Sequence, residues 1–120
     1  MTDQISLKGI RGFGYHGVFD DEKKNGQEFF VDVLITMDLA PAVQSDELSH
    51  TIDYSVVVDM VLAHVTGEPL NLIEALAGRI AHEILDRFAL ANSVSVTVHK
   101  PFAPLSAQVS DVAVTVVAKK

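Results

Sequence analysis

The stretch that decides the fold is Phe29-Phe30-Val31-Asp32-Val33-Leu34-Ile35-Thr36-Met37-Asp38. Phe29, Val31, Val33, Ile35 and Met37 share one parity, while Asp32, Thr36 and Asp38 fall on the other. Side chains of a strand point alternately to its two faces, so this pattern predicts a half-buried antiparallel strand. Upstream, Ile5 and Leu7 alternate with Ser6 and Lys8, but Gly9 is followed by Ile10 and the parity slips. A bulge near Gly9 in a first strand accounts for the slip. Between the two strands, Val18 to Gln27 reads as a polar loop with clustered charges and Gly26.

Downstream, Asn71 stands three residues before Glu74 and opens an apolar stripe at Ile73, Leu76, Ala77, Ile80, Ile84 and Phe88. That spacing predicts a helix with Asn71 as N-cap and Glu74 closing a capping box. Asp53 caps a second expected helix reaching Val65, with strand as the alternative for the β-branched run Val56, Val57, Val58. Val94, Val96 and Val98 alternate with Ser95, Thr97 and His99, and Val112, Val114 and Val116 alternate with Ala113 and Thr115. These read as two more strands, joined across Pro101 and Pro104. The order ββααββ in one domain, residues 1–120, means an α+β fold with two helices stacked on one face of a four-stranded antiparallel sheet.

Composition narrows the chemistry. The 120 residues are 48% apolar, enough for one buried core. The formal charge of −7 is the wrong sign for following a phosphate backbone, so nucleic acid and anionic membranes are excluded as expected partners. With no cysteine, disulfides, thiolate nucleophiles and cysteine-containing zinc motifs drop out together. The start, Met1 to Ser6, lacks the basic and apolar segments of a signal peptide, and the most apolar run, Val56 to Val65, is interrupted by Asp59 and His64. A cytoplasmic protein is the expectation.

Gly12, Gly14 and Gly17 match the G-x-G-x-x-G spacing of dinucleotide sites. The next charged residues are the acidic Asp20, Asp21 and Glu22, which would repel a pyrophosphate, and no helical pattern opens there to cradle one, so bends and a tight turn are the better reading. His16, His50, His64, His82 and His99 include no pair at metal-ligating spacing, and no metal or other cofactor is expected. His16, beside Gly17 at a strand end, is the histidine to watch. Lys100 shares parity with Val94, Val96 and Val98 and so points toward the buried face as its strand ends. Desolvation there favours the neutral, proton-accepting form of a lysine; the competing reading has the strand fray before Pro101 and the amine reach solvent. Glu74 has a purely capping alternative, Tyr54 a packing one, and Glu22 that of a solvated loop charge.

Taken together, several short stretches resemble the dihydroneopterin aldolase family along nearly the whole chain. They are LKGIRGFGYHG at 7–17, Glu22 before GQEFFVDV at 26–33, DL at 38–39, TIDY at 51–54, NLIE at 71–74 and HKPFAP at 99–104. The resemblance implies the tunnelling fold, in which subunits associate into barrels, commonly stacked as an octamer (or a tetramer), with sites at subunit interfaces. It implies a metal- and Schiff-base-independent retro-aldol cleavage of 7,8-dihydroneopterin in folate biosynthesis, with epimerase or oxygenase side activity. On this reading Glu74 anchors the amino-pyrimidine edge of the pterin, and the backbone around Ile52, Leu72 and Ile73 completes its recognition. Asn71 shapes the site, and Tyr54 from a neighbouring subunit lies against the ring and helps reprotonate the intermediate. Lys100 is the acid/base residue, and Glu22 binds the side-chain hydroxyls and assists proton movement. The chain departs from the family pattern after Pro104, where Leu105, Ser106 and Ala107 stand in place of a frequent isoleucine and proline. It also ends soon after its last strand, so no second folate-pathway domain is expected. A catalytically silent binding protein is the contrasting reading, and the joint presence of Glu22, Tyr54, Glu74 and Lys100 argues against it.

Overall fold

The computed structural model describes residues 3–120; of the Met1 to Ser6 segment, the first two residues lie outside that range. Four strands, β1 (Gln4–Gly14), β2 (Gln27–Thr36), β3 (Ser93–His99) and β4 (Ala113–Lys119), form one antiparallel sheet in the order β1-β2-β3-β4. Four helices punctuate them: α1 (Asp20–Asn25), α2 (Ala40–Ser45), α3 (Tyr54–Val65) and α4 (Ile73–Arg87). A 3₁₀ turn, Leu48–His50, comes after α2. No helix among the described residues is long and apolar enough to cross a membrane.

The alternation read at residues 29–38 is the organising fact of the core. Phe29, Val31, Val33, Ile35 and Met37 are all buried, as are Val94, Val96 and Val98 of β3. In register, Leu7, Val33, Val96 and Val116 lie side by side across the sheet. On this face α3 packs over β1 through Val57, Met60, Val61 and Val65, and α4 covers β3 and β4. The α4 stripe is Ile73, Leu76, Ala77, Ile80, Ala81, Ile84 and Leu85, at the spacing of one helical face. Burial of that apolar surface, not the local propensity of Val56 to Val58, makes α3 a helix, and Asp53 starts it by accepting from the Ser55 N–H at 3.0 Å.

The bulge falls where expected. The β1–β2 register shifts between Leu7 and Ile10, and Gly9 takes φ +71°, a left-handed conformation that glycine adopts without strain. The Gly9 N–H, lost to the ladder, donates to Asp32 Oδ1 at 2.8 Å. The shift lets Ile5, Leu7 and Ile10 all reach the core.

Two local expectations are corrected. The segment 18–27 contains a helical turn, α1, with Asp20, Asp21 and Glu22 at its positive end and Lys23 and Lys24 at its negative end, charges that complement the backbone dipole. The Asn71–Glu74 capping box does not form: α4 begins at Ile73 with Leu72 at its N-cap, which makes no side-chain cap bond. The Asn71 side-chain oxygen Oδ1 instead accepts from Lys23 Nζ at 2.7 Å, a cationic donor that outcompetes a backbone N–H.

Candidate active site

Parity carries Lys100 to the core side of β3, where the apolar face runs out. Its Nζ lies 2.5 Å from Glu22 Oε2, with the two side chains 12% and 6% exposed. The amine therefore meets a counter-ion in the pocket and does not snorkel to solvent, and Glu22 is a buried partner, not a solvated loop charge. Glu22 comes from α1: its Oε1 accepts from the Phe19 N–H at 3.3 Å, and Oε2 also accepts from Gln27 Nε2 at 3.2 Å. Burial alone would raise the Glu22 carboxyl, but the Lys100 ammonium and the Phe19 N–H outweigh it and hold the group below the ordinary carboxylate range.

The approach of α1 depends on Gly17, where a Cβ would stand 2.4 Å from the Glu22 carboxylate carbon. This close contact, rather than phosphate binding, is the use the structure makes of the last glycine of G-x-G-x-x-G. Lys23 braces the same loop, donating to the Gly17 carbonyl as well as to Asn71. His16 is fully buried; its Nε2 donates to the Val65 carbonyl at 2.8 Å and its Nδ1 accepts from the Leu70 N–H at 3.0 Å. Burial lowers its pKa, and the two bonds require the neutral ring with its proton on Nε2. His16 is thus a strut between the end of α3 and the segment that leads into Asn71.

Glu22, Asn71, Leu72, Ile73, Glu74 and Lys100 line one cleft of about 290 Å³, together with Val18, Phe19, Ala103, Pro104, Leu105, Val112 and Val114. A second hollow, about 740 Å³, adjoins it and shares Phe19, Glu22 and Pro104 while adding Gln27 and Phe102. Glu74 sits in the first turn of α4, exposed and free to present its carboxylate. Two of the sequence-predicted residues are not brought to this cleft. Tyr54 is 60% exposed at the start of α3, and the Ile52 side chain is in the core. Leu105, at the point of departure from the family pattern, forms part of the cleft wall.

Sequence reasoning missed Gln27 and Lys23. Gln27 lies in the stretch 26–33 and Lys23 in the charged cluster within 18–27, but only their hydrogen bonds to Glu22 and Asn71 distinguish them from surface polar residues. The Gln27 Oε1 atom is buried with no hydrogen-bond partner among the described residues, beside the amide nitrogen that holds Glu22 in place.

Residues 5–117 match the family described as FolB, dihydroneopterin aldolase. The chain is 43% identical over 115 residues to the dihydroneopterin aldolase of Streptomyces coelicolor, covering 96% of each protein. It is 39% identical over 118 residues to that of Bacillus subtilis, covering 98% of each. Among solved structures it superposes with a TM-score of 0.89, at 26% identity and over 98% of this chain and 99% of the other, on E. coli dihydroneopterin aldolase in complex with neopterin.

Proposed function

The chain belongs to the dihydroneopterin aldolase family, an aldehyde-lyase of folate biosynthesis, and on that premise we propose that its reaction is carried by Lys100, Glu22 and Tyr54 on a pterin anchored by Glu74. The observation that carries this reading is the 2.5 Å contact of Lys100 Nζ with Glu22 in the cleft that also holds Asn71, Leu72, Ile73 and Glu74. The Glu74 carboxylate accepts two parallel hydrogen bonds from the amino-pyrimidine edge, and the backbone near Ile52, Leu72 and Ile73 meets the remaining polar atoms.

Retro-aldol cleavage needs a sink for the electrons of the broken carbon–carbon bond, and the ring imine of 7,8-dihydroneopterin is one. Lys100 acts as the base: its neutral amine takes the proton of the side-chain hydroxyl, while Glu22 binds the side-chain hydroxyls and assists proton movement. The carbon–carbon bond breaks, glycolaldehyde leaves, and its electron pair becomes an enamine on the ring. Protonation of that enamine, with Tyr54 assisting, yields 6-hydroxymethyl-7,8-dihydropterin. No step calls on a metal or a Schiff base. Recombination of glycolaldehyde from its other face gives the epimer, and interception of the enamine by oxygen would give the oxygenase side activity.

Three features support a barrel-forming homo-oligomer, tetramer or octamer, with each site completed by a neighbour. Val18, Phe19, Leu72, Phe102 and Leu105 are exposed apolar residues around the cleft. The outer edges of β1 and β4 have no strand partner among the described residues, and an open edge demands cover. The radius of gyration, 15.5 Å, exceeds the roughly 13.6 Å typical of a compact chain of this length, as expected when part of the packing is supplied by other subunits. Tyr54, exposed and absent from the cleft of its own chain, then enters that of a neighbour. A cytoplasmic location is part of the proposal.

The test is incubation of the chelator-dialysed protein with 7,8-dihydroneopterin and chromatographic identification of the products. Hydroxymethyldihydropterin with glycolaldehyde is expected. The epimer alone would replace the aldolase reading by an epimerase, and pterin binding without turnover would make the protein a silent binder.

A further inference from the structure

Lys100 is preceded by a histidine that the reaction does not use. His99 ends β3 on the open face of the sheet, and both its ring nitrogens meet carboxylates: Nδ1 lies 2.7 Å from Asp111 Oδ2 and Nε2 lies 2.7 Å from Asp32 Oδ2. A neutral imidazole has one donor and an ionised carboxylate has none, so satisfying both contacts requires the imidazolium. The other Asp32 oxygen accepts from the Gly9 N–H at the β1 bulge. One continuous chain of hydrogen bonds therefore runs from β1 through β2 and the end of β3 to Asp111.

Asp111 adjoins Val112, whose carbonyl accepts the Lys100 N–H at 2.7 Å, and the Lys100 carbonyl in turn accepts from the Ala103 N–H at 3.2 Å. His99 and Lys100 thus grip adjacent residues of the returning chain, one by its side chain and one by its backbone. The segment so pinned carries Ala103, Pro104 and Leu105, a wall of the cleft. We infer that His99 is a positioning residue for Lys100: its bridge between Asp32 and Asp111 sets where the Lys100 amine stands relative to Glu22 and the substrate. This rests on the reading of Lys100 as the acid/base group.

The charged groups facing the ring are Asp32 from β2 and Asp111 from the β3–β4 connection; Lys8 of β1 acts on Asp32, while β4 places Ala113 opposite. Asp111 and Asp32, against a smaller opposing effect of burial, raise the His99 pKa above 6.5. The bridge is therefore complete below that raised value and loses one donor above it.

His99→Gln, Asp111→Asn, the double variant and Lys100→Ala would be compared for kcat on 7,8-dihydroneopterin and for the Kd of neopterin, which carries the same side chain on an oxidised ring. A displaced amine costs rate more than affinity, so His99→Gln and Asp111→Asn should each lower kcat about tenfold with Kd changed by less than about twofold. Their effects should not multiply in the double variant, because both remove one bridge. In both single variants the alkaline fall of kcat that follows loss of the bridge should be flattened. If kcat survives in both single variants while Lys100→Ala loses it, the positioning role is wrong and the role of Lys100 stands. If Lys100→Ala turns over normally, both fall.

Discussion

Residues 99 and 100 belong to different worlds although they are neighbours in the chain. Lys100 continues the core face of the sheet, in line with Val94, Val96 and Val98, and reaches Glu22 at the edge of the apolar layer. His99 continues the open face, in line with Ser93, Ser95 and Thr97, where side chains pair across strands: Thr97 with Thr115 at 2.7 Å and Thr36 with Ser93 at 2.5 Å. The core face is dry, and a charge there needs a dedicated counter-ion. The open face is partly wetted and carries a charge between two carboxylates at little cost. The same pleat that separates core from surface thus separates the group proposed to move protons from the group proposed to hold it.

Lys100→Ala attacks the comparison at its most sensitive point. Turnover should drop by about a hundred- to ten-thousand-fold, the worth of one general acid/base group. It also strands a buried carboxylate, and adding Glu22→Gln should restore part of the lost thermal stability without restoring turnover. Phe29→Ala strikes the core face, where Phe29 is fully buried with its ring edge-on to His16 at 5.5 Å. A loss of about 3–5 kcal/mol in denaturant unfolding is expected. Glu74→Ala should weaken pterin binding about ten- to a hundredfold in calorimetry, with unfolding almost unchanged, because the side chain is exposed and its only assigned partner is the ligand. On the open face, Thr97→Val should cost less than about 1 kcal/mol, the range of one cross-strand pair. A larger cost would mean that face is as tightly specified as the core.

The two histidines of the site region sharpen the contrast through pH. His16, on the buried side, has a pKa lowered from 6.5, so its contribution to stability is present above 6.5 and lost as pH falls below it. His99, on the open side, has a pKa raised from 6.5, so its contribution is present below 6.5 and lost as pH rises through the raised value. Thermal melts across this range should decline on both sides, and His99→Gln should flatten the alkaline decline while leaving the acid one. Flattening of the acid decline instead would reverse the assignment.

Much of the fold was legible because its signals are local. Period-two alternation named three strands outright, the slip at Gly9 located the bulge, and the apolar stripe from Ile73 placed the longest helix. Where reading failed, a tertiary partner had overruled a local one: Asn71 turned from its expected cap to Lys23, and the acidic loop coiled into α1 to deliver Glu22. The candidate site divides the same way. Parity aimed Lys100 at the buried face, whereas Glu22, Glu74, Asn71 and Tyr54 were known only through family resemblance, each being ambiguous alone.

The sequence by itself determined which faces of β2, β3 and β4 are buried, since pleating and hydrophobic periodicity depend only on neighbours along the chain. Only the tertiary structure decided that the carboxylate waiting for Lys100 is Glu22, that Gln27 steadies it, and that His99 is clasped by Asp32 and Asp111. Such pairings join segments remote in sequence, and their geometry exists only once the chain has packed.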